Sequence, residues 1–285
     1  MPFELHHHAT MLEDIVRLSA FRKAINESIK PTDCVVDVGT GTGILASYAA
    51  SITQGPIYGI EYFPEAAQLA QCLMENAGYQ NVKILNDSSY KCKLEASPNL
   101  LITETIGPLG PEENIVELTY AFCRRFPSVR QVIPARLRLL AIPIYSEFVD
   151  AMYERFLRAY EKNSHGTFDY RCIFNTLDYH AGTHIFQGDL SKCTTFGEET
   201  VLADYILGKT QRSDFYTVIS SHDKANALHL FFRADLTHKC QLSSFAKEPF
   251  THWCHSFIRI PQGRNLLEIS YLSTTRKFTF VWRKI

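Results

Sequence analysis

The sequence holds eight cysteines but no two that stand two or three residues apart. Cys34, Cys72, Cys92, Cys123, Cys172, Cys193, Cys240 and Cys254 are scattered, which removes zinc-knuckle and redox-dithiol spacings. Several fall in apolar or helical patterns, as buried reduced thiols do. No charge is in excess. The 29 Lys and Arg face 30 Asp and Glu, for a net charge of −1. A basic stripe able to follow a phosphate backbone is missing, so nucleic acid is set aside as a main partner. No apolar run is long enough to span a membrane. The first ten residues, MPFELHHHAT, contain neither a basic start nor an apolar stretch. No secretion leader is expected, and the cytoplasm is the expected compartment. Repeats and low-complexity tracts are also missing. The triplet His6, His7 and His8 offers adjacent side chains that do not readily converge on one ion, so no metal is expected.

What is present is 285 residues, 46% of them hydrophobic, enough for one large domain or two ordinary ones. The texture changes near Pro134. Before it, short apolar runs alternate with helical patterns. Helices are expected over residues 11–28, 42–51, 64–77 and 115–126, and strands over 34–38, 57–61, 82–85 and 100–103. Such alternation implies a doubly wound parallel sheet that binds ligands at the carboxyl ends of its strands. After Pro134 the pattern is mainly β, with strands expected over 135–144, 215–220, 227–233, 256–260, 266–272 and 277–282, in a barrel or sandwich. A helix over 150–162 interrupts it. The expected fold class is therefore α/β, with a Rossmann-like domain over 1–133 and a β-barrel-like domain over 134–285.

The first motif with chemical content is Asp37-Val38-Gly39-Thr40-Gly41-Thr42-Gly43, between an apolar strand and a helix. Glycines in such a turn let backbone approach a ligand. The third glycine comes too early for the dinucleotide fingerprint, and an acid precedes the first. That favours S-adenosylmethionine, whose sulfonium and amino group are cationic. A plain tight turn is the alternative. The next strand ends in Glu61, about twenty residues on, where a carboxylate can take both ribose hydroxyls.

The second motif is Glu104 and Glu113. Between them lie Gly107, Pro108, Gly110 and Pro111, a stretch that must bend. A bent loop can bring both carboxylates to one spot. Two facing carboxylates repel unless a cation lies between them, and the planar donor fork of a guanidinium suits that place. The alternative is that Glu112 and Glu113 are an exposed acidic helix start, favoured by the helix dipole.

Taken in order, these motifs resemble the protein arginine methyltransferases. The run His8-Ala9-Thr10-Met11-Leu12-Glu13-Asp14-Ile15-Val16-Arg17 is similar to the family's segment ahead of its first strand. Asp37, Gly39, Gly41 and the Gly59-Ile60-Glu61 strand end match its cofactor motifs. Glu104 and Glu113 match its double-glutamate loop, with its nine-residue spacing and its internal glycine at Gly107. Pro249-Phe250-Thr251-His252-Trp253 is similar to its threonine-histidine-tryptophan loop. The chain departs from the pattern in three places. The family's aromatic helix ahead of the histidine is not matched, since Phe3 is the one aromatic before His8. Thr105, Ile106 and Pro108 stand where the family has tryptophan, methionine and tyrosine. Tyr90 stands where a glutamate usually meets the adenine amine, a task left to Asp87 or Ser88.

The resemblance implies an S-adenosylmethionine-dependent N-methyltransferase that yields S-adenosylhomocysteine. His8, Met11 and Arg17 would line the cofactor, with Arg17 on its carboxylate. Glu104 and Glu113 would hold the guanidino group of an arginine in a protein or peptide, beside His252 and Trp253. Arginine is protonated at any physiological pH, so the two carboxylates would localise its charge away from the attacking nitrogen. His252 would position the group or relay its proton; a purely structural role for that histidine is the alternative. Free arginine or another small guanidine compound remains open as acceptor, as does a non-catalytic scaffold. The resemblance also implies a homodimer, through a helical arm at about 148–175, where Met152, Tyr153, Phe156, Leu157 and Tyr160 fall at helical spacing.

Overall fold

The computed structural model describes residues 5–162 and 174–284, with the side chains of 5–8, 174 and 175 outside the description. The chain divides into two compact units. The first comprises residues 1–137, 204–213 and 233–243.

Its centre is a parallel sheet of β1 (Val35–Val38), β2 (Ile57–Glu61), β3 (Val82–Asn86), β4 (Leu100–Thr103) and β5 (Gln131–Ile133), in the order β3-β2-β1-β4-β5. All residues of β1, β2 and β4 are buried, which is why they read as unbroken apolar runs rather than alternating ones. The helices α1 (Leu5–Glu13), α2 (Ile15–Ser28), α3 (Ile44–Ala50), α4 (Pro64–Asn76) and α5 (Ile115–Arg125) complete the unit. The single helix expected over 11–28 is in fact two. Asp14 leaves the helical conformation, with φ −75° and ψ 81°, and its side chain accepts a hydrogen bond from the Arg17 backbone N–H at 2.9 Å. It is the N-cap of α2, which satisfies a donor that a continuous helix would have bonded internally.

Two late segments belong to the same unit. The Ser213 backbone N–H and hydroxyl both donate to Glu117 Oε1 at 2.7 Å. The Gly208 N–H donates to the Thr119 hydroxyl at 3.1 Å.

The second unit comprises 138–203, 214–232 and 244–285. Strands β6 (Arg136–Tyr145), β7 (Phe186–Gly188), β8 (Thr194–Thr195), β9 (Thr200–Ile206), β11 (Ala227–Thr237) and β13 (His255–Arg259) lie wholly or mostly in it and, with β12 (Cys240–Ser243) of the first unit, are the strands of a seven-stranded sheet. Its path is β7-β13-β11-β6-β8, with β12 on β11 and β9 on β6. Strand β10 (Phe215–Ser220) joins β14 (Leu266–Leu272) and β15 (Lys277–Arg283) in a smaller antiparallel sheet. The expected mainly β domain is thus present, with β7, β8, β9 and β12 beyond the strands anticipated. The unit's core includes Leu140, Ile142, Ile144, Val149, Leu190, Phe231 and Phe257.

The helix expected over 150–162 is α6 (Glu147–Lys162). Part of its aromatic face packs within its own unit. Phe148 meets Phe257 edge-on, Phe156 meets Phe186, and the Arg259 guanidinium lies 3.5 Å from the centre of the Tyr153 ring. Phe148 and Phe156 nevertheless stay 42% and 45% exposed. A further helix, α7 (Phe174–Ala181), follows, and the rest of the expected arm, 163–173 with Cys172, lies outside the described residues. No described helix is long and apolar enough to cross a membrane.

Candidate functional site

Three acids stand at the carboxyl ends of adjacent strands in the first unit. Asp37 is in β1, Glu61 ends β2, and Glu104 follows β4. Register brings them level, with Asp37 opposite Gly59 and Val38 opposite both Ile60 and Thr103. The glycine loop after β1 carries positive φ at Gly39, Gly41 and Gly43, of 71°, 55° and 83°. Side chains there would be strained, which explains the residue type.

The Asp37 carboxylate is 1% exposed. Its Oδ2 accepts from the Thr40 hydroxyl at 2.6 Å and from the Ala46 N–H at 3.1 Å. Its buried Oδ1 has no partner. Burial pushes this carboxyl up to about 7, against the lowering effect of the Thr40 and Ala46 bonds and with smaller repulsion from Glu61 and Glu104. A buried acceptor without a donor is costly, and a cationic ligand group would satisfy it. Glu61, also buried, accepts from the Gly41 N–H through Oε2 and from the Phe63 N–H through Oε1, both at 3.0 Å. Its carboxylate is therefore fixed beside the glycine loop. The chemistry of these donors and acceptors fits a cationic nucleoside such as S-adenosylmethionine.

Arg17, in α2, is buried. One guanidinium nitrogen forms an ion pair with Glu104 Oε2, and another donates to the Met11 carbonyl at 2.8 Å. Its Nε is buried without a partner. Arg17 and Met11 were expected on the cofactor; in the structure Arg17 bridges the Met11 carbonyl and Glu104, the acid expected on the acceptor. The other oxygen of Glu104 accepts from the Ile106 N–H at 3.4 Å.

The loop after β4 is closed on itself. The Gly107 N–H donates to the Gly110 carbonyl at 3.0 Å, and the Gly110 N–H returns the bond at 2.9 Å. Pro111–Glu113 forms one 3-10 turn, and Asn114, with φ 66°, separates it from α5. This alters the alternative of an exposed acidic helix start: the first-turn acid of α5 is Glu117, and Glu112 and Glu113 differ from each other. Glu113 is exposed. Glu112 turns inward, where its Oε1 accepts from the Leu109 N–H at 3.0 Å and its Oε2 is buried without a partner.

Among the adenine-side candidates, Asp87 is exposed and donates its backbone N–H to the Glu61 carbonyl at 3.1 Å. Asp87 Oδ1 accepts from the Ser88 N–H at 2.7 Å. Sequence reasoning missed Asn86, whose amide bonds the carbonyls of Glu61 and Tyr62 at 3.0 and 3.1 Å and so ties β3 to the end of β2. It also missed Thr40 and Glu112. Thr40 was legible as the hydroxyl beside Asp37; nothing in the sequence sets Glu112 apart from Glu113. The side chain of His8 lies outside the described residues.

In the second unit, Thr251 and Trp253 are buried and His252 is half-buried. The His252 ring lies 4.0 Å from the Trp253 ring, which meets Phe232 edge-on at 4.9 Å. The Gln187 side chain donates to the Trp253 carbonyl at 3.2 Å. An apolar cavity of about 490 Å³ in the first unit, lined by Leu12, Ile44, Leu69, Leu73 and Met74 among others, lies beside α4 and reaches the glycine motif at Thr42. None of Asp37, Glu61 or Glu104 lines it. Among the described residues no group of three or more His, Cys, Asp and Glu could hold a metal ion.

A family model described as protein-L-isoaspartate(D-aspartate) O-methyltransferase matches residues 6–115. A protein arginine N-methyltransferase 8-B of Danio rerio is 27% identical over 91% of this chain and 64% of its own length. A protein arginine N-methyltransferase 1 of Oryza sativa subsp. indica is 30% identical over 58% of this chain and 43% of its own. The chain thus spans less than two thirds of the length of these curated relatives. A PRMT6–SAH crystal structure superposes with a TM-score of 0.73 at 18% identity, covering 98% of this chain and 99% of that one. The Arabidopsis thaliana protein arginine methyltransferase 10 gives 0.70 at 17% identity, over 98% and 97%. The fold of those structures is the fold of this chain.

Proposed function

For a chain that is a relative of protein arginine N-methyltransferases and has their fold, we propose an S-adenosylmethionine-dependent N-methyltransferase acting on the guanidino nitrogen of arginine in a protein or peptide. The observation that carries this reading is the row of acids at three adjacent strand ends, with Glu104 already engaged by a guanidinium, that of Arg17. When bound, S-adenosylmethionine supplies an electrophilic methyl group on a sulfonium. Glu61 would take the ribose hydroxyls, and Asp37 would face the cationic amino-acid end through its unpartnered Oδ1. Asp87 or Ser88 would take the adenine, and Met11, His8 and the glycine loop would line the cofactor. SAH in the PRMT6 structure supports this cofactor class.

Glu104 and Glu113 would hold the acceptor guanidinium and localise its charge away from the nitrogen that attacks. Arg17 would then leave Glu104 at least in part and turn to the cofactor carboxylate. The attacking nitrogen becomes acidic as its new bond forms, and a carboxylate, water or His252 can take its proton. The domain assignment follows from the same reading, residues 1–133 binding the cofactor and 134–285 serving the substrate.

A homodimer is proposed as well. The exposed rings of Phe148 and Phe156 on α6, and the apolar cavity beside α4, are surfaces a second copy would cover. The seven described cysteines are free, which agrees with a cytoplasmic setting.

The decisive experiment incubates the protein with methyl-labelled cofactor and offers arginine-rich peptide, free arginine or a host lysate. Label on peptide arginines is expected. Label on free arginine alone would move the acceptor to small guanidines, and bound cofactor with no transfer to any of them would leave a scaffold.

A further inference from the structure

The carboxyl of Glu112 has no part in the mechanism above, yet it is closely held within the loop between the two candidate guanidinium-binding acids. Its Oε1 accepts the Leu109 N–H at 3.0 Å across the Gly107–Gly110 turn. Its other face lies against Gly107 so closely that a Cβ on that glycine would sit 2.5 Å from Oε2 and 2.9 Å from both the Cβ and Cδ of Glu112. Oε2 itself is buried and unpartnered. A carboxyl placed this way costs stability, and the loop shape it enforces is what that cost maintains. That loop begins at Glu104 and ends at Glu113, the residue next to it.

We propose that Glu112 is a positioning residue, whose inward-turned carboxyl braces the Gly107–Gly110 turn and thereby sets how Glu104 and Glu113 receive a guanidinium. The inference rests on the reading of those two acids as an acceptor site. Charge supports it. Burial pushes the Glu112 carboxyl up to about 7, opposed by bonds from its own N–H and those of Leu109 and Gly110 and reinforced by the charge of Glu113. The charge acting on it is that of Glu113, and the turn amides of Leu109 and Gly110 oppose it. A cation held by Glu113 offsets that repulsion and favours the ionised form. Guanidinium binding and ionisation of Glu112 are therefore linked, and each strengthens the other.

The test is calorimetric titration of an arginine–glycine peptide, and of free arginine, into protein saturated with S-adenosylhomocysteine, from pH 6 to 8. Wild type, Glu112→Gln, Glu112→Ala and Glu113→Gln are compared, with melting temperature recorded for each. Asp37 ionises in the same range, so the difference between wild-type and Glu112→Gln profiles isolates Glu112. Wild-type affinity is expected to rise severalfold across this range. Glu112→Gln should bind within a few-fold of wild type at pH 6 and show a flatter profile, while Glu112→Ala should lose about tenfold or more. A wild-type profile in Glu112→Gln, or wild-type affinity in Glu112→Ala, would overturn the proposal. If Glu112→Ala does not fold, the Gln profile decides. Undiminished binding by Glu113→Gln would instead remove the acceptor reading beneath it.

Discussion

At the scale of single residues, cofactor and acceptor call on different acids. Glu61→Ala removes a carboxylate expected to take two ribose hydroxyls. Hydrogen bonds to charged groups are worth about 1.5–3 kcal/mol, so calorimetry should show cofactor affinity falling roughly 10- to 150-fold. Glu61 also accepts the Gly41 and Phe63 amides, so part of the loss should appear in melting temperature; unchanged cofactor binding would refute the assignment. Glu104→Gln and Glu113→Gln should each cut turnover by orders of magnitude while Glu113→Gln leaves cofactor affinity intact. Their effects should be less than additive, because both act on one group. Glu104→Gln has a second consequence that sequence alone did not suggest: it strands the Arg17 guanidinium, a buried cation paired with Glu104. That variant is therefore expected to lose stability as well, by the few kcal/mol typical of breaking a buried pair. Normal turnover in Glu113→Gln would dissolve the clamp. The places of Glu61 and Glu104 at strand ends were legible in the sequence, because apolar runs ending in an acid mark them. The Arg17–Glu104 pair and the inward turn of Glu112 were not. Both depend on how loops fold back over 87 residues in one case and three in the other, and spacing does not encode that direction.

At the scale of elements, β1, β2 and β4 were readable because burial on both faces leaves unbroken apolar runs, and α4 and α5 because burial on one face repeats with the helical period. The break at Asp14 was hidden because apolar residues continue on both sides of it. β7 and β8 were hidden because strands of two or three residues hold too few positions to show a period. The strands β11 and β13 carry a further expectation. His229 is fully buried, its Nδ1 pairing with the Ser256 carbonyl at 2.8 Å and its Nε2 accepting the Ala246 N–H at 3.0 Å. Burial holds this imidazole down to about 3, and burial also lowers neighbouring His255. An unfolded histidine ionises near 6.5. Between those values the unfolded chain binds the extra proton, so stability is full above about pH 6.5 and is lost as pH falls toward 3. His229 alone should account for about 2 kcal/mol between pH 7 and 5. Urea unfolding at the two pH values checks this, and a His229→Gln protein with an undiminished slope would contradict it. In the loop after β4, Gly107→Ala should clash with Glu112 and reduce turnover more than melting temperature.

At the scale of the whole molecule, a net charge of −1 offers no long-range repulsion between copies, and the exposed α6 rings await cover. Light scattering at micromolar concentration should give the mass of a dimer, about twice 32.5 kDa; a monomeric mass would count against that assembly. The two-unit division was readable only in outline. A change of texture marks Pro134, but residues 204–213 and 233–243 return to the first unit through contacts that no local pattern announces, such as Ser213 on Glu117 and Cys240 on the Ala20 carbonyl. That return has a bearing on synthesis. A ribosome releases the chain from its amino end, and a domain made of one continuous stretch can close as soon as that stretch emerges. Here the parallel sheet and its glycine loop emerge early, while the strand that lies along α2 is not available until residue 243 has left the exit tunnel. The face of α2 on which β12 packs therefore stays uncovered until residue 243 has emerged.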